Sequence, residues 1–300
     1  MTEVTELPES RSAASRGDRR DGIYVWSDEI DLAVEVALAT GRPLLLRGAT
    51  GAGKSSLAFA EATKRGWRYY EQTITSRTQA RELLWEVDQL ARFQDARAGQ
   101  AGAMRKYVRP GILWWAINRD SAKAFAPDAR DPNLNTDSSG RPVDSERAVV
   151  LIDEIDKADP DVPNNLLVPL GSYRFQIEEL VEPVTLDRTA QAPLIIITSN
   201  GERELPPAFL RRCVEHYIED ANDERLLDIA EKHFPNERRE TLKGMLTTVV
   251  EARPERWSGP PLPSPAELID CISAILRLPP DRRAAIPGLV VWKRSVSELR

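Results

Sequence analysis

Gly48, Gly53, Lys54 and Ser55 stand at the spacing G-x-x-x-x-G-K-S, directly after the apolar run Leu44 to Leu46. Glycines so placed let the backbone turn until successive N–H groups point at an anion, and the helix that follows adds its positive N-terminal end. Gly48, Ala49, Thr50, Gly51, Ala52, Gly53, Lys54, Ser55 and Ser56 therefore form the expected nucleotide-binding loop. Lys54 is expected to neutralise the β- and γ-phosphates of ATP, and the Ser55 hydroxyl to ligate Mg²⁺.

Asp153 and Glu154 end a second apolar run, Ala148 to Ile152. Acids just past a strand often serve as helix caps. Downstream of a phosphate loop they gain a chemistry: Asp153 holds Mg²⁺ through water, and Glu154 is the base that polarises the attacking water. A further run, Leu194 to Thr198, terminates in Ser199 and Asn200, where Asn200 suits a turn or, at the ligand-facing edge of a doubly wound sheet, the orientation of the lytic water. Arg211 and Arg212 close the short helix expected over Pro206–Cys213, where cations suit a helix C-terminus.

The elements that must position these groups follow from the pattern around them. Residues 1 to about 21 are polar and read as a flexible segment. Ser27 N-caps a helix that Gly41 closes, Ser55–Arg65 is a helix stopped by Gly66, and Trp67–Glu71 is a strand. Thr73 to Ala80 carries no period, Arg81–Ala96 reads as a helix, and Tyr107–Ile117 starts with a turn and continues as an apolar helix or extended piece. Trp114 and Trp115 lack a basic surround, which favours core packing over base stacking. Pro127–Glu146, dense in Asp, Pro, Ser and Asn, reads as an exposed loop of variable order. Asn222–Phe234, Arg238–Val250 and Pro265–Leu278 carry helical periods, the last opened by a Ser264 and Glu267 capping box and stopped by Pro279 and Pro280.

A 300-residue chain with 41% apolar residues can bury a large core, and a net charge of −6 disfavours sequence-independent grip on nucleic acid. Cys213 and Cys271 are too few for a disulfide framework and read as buried apolar residues in a reducing cytoplasm. His216 and His233 have no second ligand near them in sequence and read as structural or surface residues. Residues 1–22 lack a signal-peptide core and no apolar run spans a membrane, so the expected location is cytoplasmic.

The three stretches GATGAGKS, VVLIDEIDKADP and IIITSNGERELPPAFLRRC, in that order and with a helical region after them, resemble an AAA+ ATPase of the P-loop NTPase superfamily. The DEIDKADP continuation, the PGILWWA segment and the LPPAFLRR passage resemble the MoxR-type branch. The resemblance covers roughly Ile23 to Trp292. It implies an α/β fold: a three-layer αβα core on a mainly parallel five-stranded sheet over 23–220, after the N-terminal segment 1–22, and a small all-α lid over 221–300. It makes the first two stretches the Walker A and Walker B motifs, Asn200 the sensor-1 residue, and Arg211 or Arg212 the finger that completes a neighbour's site, Arg212 being preferred. It also implies a ring homo-oligomer, a hexamer, that hydrolyses ATP with Mg²⁺ to remodel a protein client, for which a von Willebrand factor A-domain protein is one candidate. A slow ATP-dependent switch, as in a bacterial defence or signalling system, is the alternative, and a nucleic-acid translocase ranks behind it. One departure stands out: where relatives carry a sensor-2 arginine early in the lid helix, this chain has Ala266, which cannot contact phosphate.

Overall fold

From Ile23 onward apolar runs of strand length alternate with helical periods, and in the computed structural model they become one parallel sheet with helices on both faces. The structure describes residues 22–100, 102–177, 183–185, 191–255 and 259–292. Of the expected flexible segment 1–22, all but Gly22 lies outside them.

The chain runs α1 (Asp28–Thr40), β1 (Leu44–Gly48), α2 (Lys54–Arg65), β2 (Arg68–Thr73), β3 (Trp85–Val87), α3 (Gln89–Arg97), β4 (Val108–Pro110), α4 (Ile112–Ile117), α5 (Arg119–Phe125) and β5 (Ala148–Asp153). It continues with α6 (Asp161–Asn165), α7 (Leu167–Ser172), β6 (Arg174–Gln176), β7 (Pro183–Thr185), β8 (Leu194–Ser199), α8 (Pro207–Leu210) and β9 (Val214–Ile218). The helices α9 (Asp223–His233), α10 (Arg239–Glu251), α11 (Pro265–Arg277), α12 (Pro280–Arg283) and α13 (Ile286–Val290) complete it.

The main sheet has the order β2-β5-β8-β1-β9, every pair parallel. All six residues of β5 and of β8 are buried, as continuous apolar runs in a sheet covered on both faces must be. Their side chains alternate between two cores. Leu44, Leu46, Val149, Leu151 and Ile196 pack with α1 and α2, whereas Leu45, Val150, Ile152, Ile195 and Ile197 join Trp114 and Trp115 on the other face. The paired tryptophans are thus core residues, 1% and 2% exposed.

Two expectations are corrected. Arg81–Ala96 is not one helix: it breaks into a 3₁₀ turn at Ala80–Leu83, the strand β3 and then α3. The break is tertiary in origin, because Trp85 leaves the helical face to stack on Phe175 at 5.9 Å while β3 pairs with β4. The stretch Pro127–Glu146 has little regular structure, yet it is tied down. Leu134 N–H donates to Tyr69 O at 2.9 Å, Asn135 Nδ2 to Trp67 O at 2.7 Å, and Asn133 Oδ1 accepts from Tyr69 N–H at 2.9 Å. It covers the outer edge of β2, whose backbone groups would otherwise stand open.

The C-terminal helices build their own apolar clusters, Leu226, Leu242, Leu246, Leu268 and Ile272 in one, Val249, Cys271, Ile275, Ile286 and Trp292 in the other. Ser264 and Glu267 form the expected capping box at the start of α11. Both cysteines are buried and free. No described helix is long and apolar enough to cross a membrane.

Candidate functional site

Parallel strands deliver their carboxyl ends to one edge, and here β5, β8 and β1 lie side by side in that order. The pairs Arg47 with Ser199 and Ile152 with Ile197 put the loops after these three strands at the same level. The P-loop, the Asp153 and Glu154 pair, and Asn200 are thereby brought together from positions up to about 150 residues apart.

Gly48 must be glycine for two reasons: its φ is 146°, and a Cβ there would lie 2.5 Å from the carbonyl oxygen of Ile218 on β9. Beyond the loop, Lys54 opens α2 and is only 6% exposed. Its Nζ donates to Gly48 O at 2.9 Å and Ala49 O at 2.8 Å, which holds a buried ammonium inside the curl of the loop.

Asp153 is 2% exposed, and its Oδ1 accepts two hydroxyls at once, Ser55 Oγ and Thr198 Oγ1, each at 2.6 Å. Thr198 Oγ1 accepts in turn from Glu154 N–H at 2.8 Å. That bond needs Glu154 at φ 61°, a left-handed conformation that costs a non-glycine residue on the order of 1 kcal/mol and persists where neighbours fix it. The Glu154 carboxylate ion-pairs with Lys157 Nζ at 2.9 Å, a bond that raises the Lys157 ammonium above its usual pKa, and Asn200 Nδ2 lies 3.5 Å from its other oxygen. Asp156, also 2% exposed, takes Asn200 N–H at 3.2 Å and Glu202 N–H at 2.9 Å on Oδ2. Its Oδ1 has no partner among the described residues.

Lys54, Ser55, Asp153, Glu154, Thr198 and Asn200 line a cleft of about 670 Å³ whose walls also come from Ile23 to Val25, the P-loop, α9 and α11. Tyr24 lies over the loop near Gly53, and burial pushes its phenol up to about 12 against the opposing pull of Arg225. His233 turns out to line this cleft. Arg225 fastens α9 to the entry segment through the carbonyls of Trp26, at 3.0 Å, and Val25. The start of α11 rests on the loop itself: Ala266 N–H faces Gly51 O at 3.4 Å, and a Cβ on Gly51 (φ 82°) would sit 2.6 Å from Ser264 Oγ.

The donor set suits a nucleotide and a hard cation. A hydroxyl and a carboxylate oxygen in contact offer the one or two protein ligands that Mg²⁺ takes when phosphate oxygens and waters supply the rest. Among the described residues no three His, Cys, Asp or Glu side chains converge as a self-sufficient metal cage. The cleft also falls within the 300–1,000 Å³ range usual for small-molecule sites.

Arg211 and Arg212 lie elsewhere. They follow α8 and precede β9, at the amino edge of the sheet. Arg212 Nη1 donates to Leu167 O at 3.1 Å, while the exposed Arg211 guanidinium has no partner among the described residues. Against the preference drawn from the sequence, Arg212 is the one tied to its own subunit.

Sequence reasoning missed Thr198, Asp156 and Lys157. Each sits within a stretch already singled out, but its partner lies on another strand or is set by the 3₁₀ turn at Ile155–Lys157.

A family model described as "AAA domain (dynein-related subfamily)" matches residues 43–213. Among solved structures, the chain is similar to a candidate ATPase from Cytophaga hutchinsonii, with 14% identity, 78% of this chain and 66% of that chain covered, and a TM-score of 0.41. A second similar structure is a RuvB variant from Thermotoga maritima, with 14% identity, 88% and 67% covered, and a TM-score of 0.47. The chain thus spans about two thirds of the length of each. No curated protein matches it.

Proposed function

Because the chain belongs to the AAA domain family, dynein-related subfamily, whose members are nucleotide-hydrolysing P-loop proteins, we propose that it is a Mg²⁺-dependent ATPase whose active site is shared between neighbouring subunits. The observation that carries this reading is the contact of Ser55 and Asp153, 2.6 Å apart at the mouth of the loop, with Glu154 and Asn200 beside them.

In this reading the loop N–H groups and Lys54 bind the β- and γ-phosphates, and Ser55 and Asp153 hold the metal. Mg²⁺, when bound, draws off charge that develops on the phosphate oxygens. Glu154 accepts a proton from the attacking water, and Asn200 orients that water against Glu154. Thr198 fixes Asp153 and Glu154 relative to each other, and Asp156 holds the backbone that presents Asn200.

Arg211 acts in trans. The five residues of β1 rise about 3.3 Å each, so the arginine edge stands about 17 Å from the P-loop edge of the same subunit, beyond the reach of one side chain. Only another copy can bring Arg211 to a γ-phosphate, which makes a ring, of six in the MoxR-type reading, the functional form. Residues 221–300 serve as its lid, supported by their separate apolar clusters and by the seat of α11 on Gly51. The work of such a ring is remodelling of a protein client in the cytoplasm. The Lys157 pair on Glu154 and the alanine at the sensor-2 position favour a second reading, a switch that assembles with ATP and turns over slowly.

Two variants test the site. Lys54→Ala removes a charge-assisted contact worth about 2 to 5 kcal/mol on the scale of buried charge pairs, so nucleotide affinity should fall by about 30-fold or more. Glu154→Gln should keep binding and lose about 10²- to 10⁴-fold in turnover. Calorimetry with ATP and a phosphate-release assay separate the two effects. Unchanged affinity in the first, or wild-type turnover in the second, contradicts the assignment.

A further inference from the structure

One side chain gathers the backbone carbonyls around Arg211. Arg42 Nε donates to Arg212 O at 3.2 Å, and its Nη2 donates to Cys213 O at 2.7 Å and to Arg211 O. The three consecutive carbonyls that follow α8 are gathered by a single guanidinium. The planar fork of an arginine can span them, whereas a lysine ammonium is a point donor on a flexible stem.

Packing does only part of this work: Cys213 is buried in the core, but the two arginines before it are exposed. A cavity of about 520 Å³ opens between the Arg211–Cys213 segment, Gly41–Pro43 and α7, with Leu167, Leu170 and Phe209 in its lining. The root of Arg42, by contrast, is fixed on both sides. Gly41 closes α1 in the left-handed conformation, and its carbonyl accepts from Tyr173 Oη at 2.7 Å. Pro43 O accepts Val214 N–H at 2.8 Å and leads straight into β1, whose far end is the P-loop.

We infer that Arg42 is the positioning residue for the Arg211 finger: from the foot of the P-loop strand it sets the segment that one subunit offers to the nucleotide site of the next. The inference rests on the reading of Arg211 as acting in trans. It gives the ring a short mechanical path, in which a shift of one subunit's P-loop strand moves the guanidinium serving its neighbour's site.

Steady-state ATPase rates of the full chain, extrapolated to saturating protein concentration, test it. Arg42→Ala should lower kcat about 10- to 100-fold, the scale of a misplaced rather than a missing catalytic group, and leave KM for ATP unchanged. Arg42→Lys should recover little of that loss. The double variant Arg42→Ala/Arg211→Ala should be no slower than Arg211→Ala alone, since a residue that acts only through the finger has nothing left to position. Wild-type kcat in Arg42→Ala beside a slow Arg211→Ala overturns the inference, as do losses that multiply in the double variant. A wild-type rate in Arg211→Ala overturns the trans reading itself, a separate result. If circular dichroism shows Arg42→Ala unfolded, Arg42→Gln and Arg42→Lys carry the same comparison.

Discussion

The two edges of the parallel sheet solve opposite problems. At the carboxyl ends of β1, β5 and β8, side chains mostly satisfy one another: Ser55 and Thr198 share Asp153 and Glu154 pairs with Lys157, while Lys54 donates to the carbonyls of its own loop. At the amino ends of β1 and β9, side chains meet backbone instead, Arg42 and Arg212 both donating to carbonyls, while Arg211 is left to the outside. One edge is a closed network, and the other is a braced arm whose Arg211 guanidinium has no partner among the described residues. The difference argues that a single chain holds two halves of different sites.

That contrast can be broken at several points. Its largest expected effect is Arg211→Ala, which should cost about 10³- to 10⁵-fold in kcat, the range for fingers of P-loop enzymes, with nucleotide binding intact. Arg212→Ala removes one hydrogen bond to Leu167 O and should stay within about an order of magnitude of wild type. Equal losses in paired phosphate-release assays would mean that the two arginines do not divide as the structure divides them.

At the carboxyl edge, Thr198→Val keeps the shape and deletes the hydroxyl between Asp153 and Glu154. Groups that orient metal ligands are worth roughly 10- to 100-fold, so a titration of activity against Mg²⁺ should show its midpoint shifted upward by that order. An unmoved midpoint would remove Thr198 from the metal network. The smallest effect is on thiol labelling. Burial pushes the Cys213 thiol up to about 12 and that of Cys271 up to about 11, so at pH 8 both are almost wholly protonated and slow to react. Arg42→Ala should speed labelling of Cys213, whose carbonyl it releases, and leave Cys271 alone. Equal acceleration at both would point to general loosening.

The same division explains what could be read without coordinates. The P-loop, the Asp153 and Glu154 pair and the caps at Ser27, Gly41, Gly66 and Ser264 are local devices, in which partners lie within a few residues and spacing alone carries the signal. The buried strands β5 and β8 were equally plain, because a strand covered on both faces has no polar positions to confuse it. What escaped was long-range. Trp85 breaks a helical period to reach Phe175, ninety residues on, and Asn133 and Asn135 look like loop formers until β2 is seen to need an edge cover. Arg42 meets its carbonyls across about 170 residues, a separation no pattern of neighbours encodes.

The central claim is that each site is assembled from the carboxyl edge of one subunit and the amino edge of another. Arg211→Ala has a sound base and no finger; Glu154→Gln has a sound finger and no base. Each alone should be nearly inactive. Mixed at a concentration that supports assembly, they should regain a substantial part of wild-type ATP hydrolysis, since a Glu154→Gln subunit can lend Arg211 to the intact base of its neighbour. A mixture no more active than the sum of its parts, in rings shown by mass to contain both chains, would contradict the account.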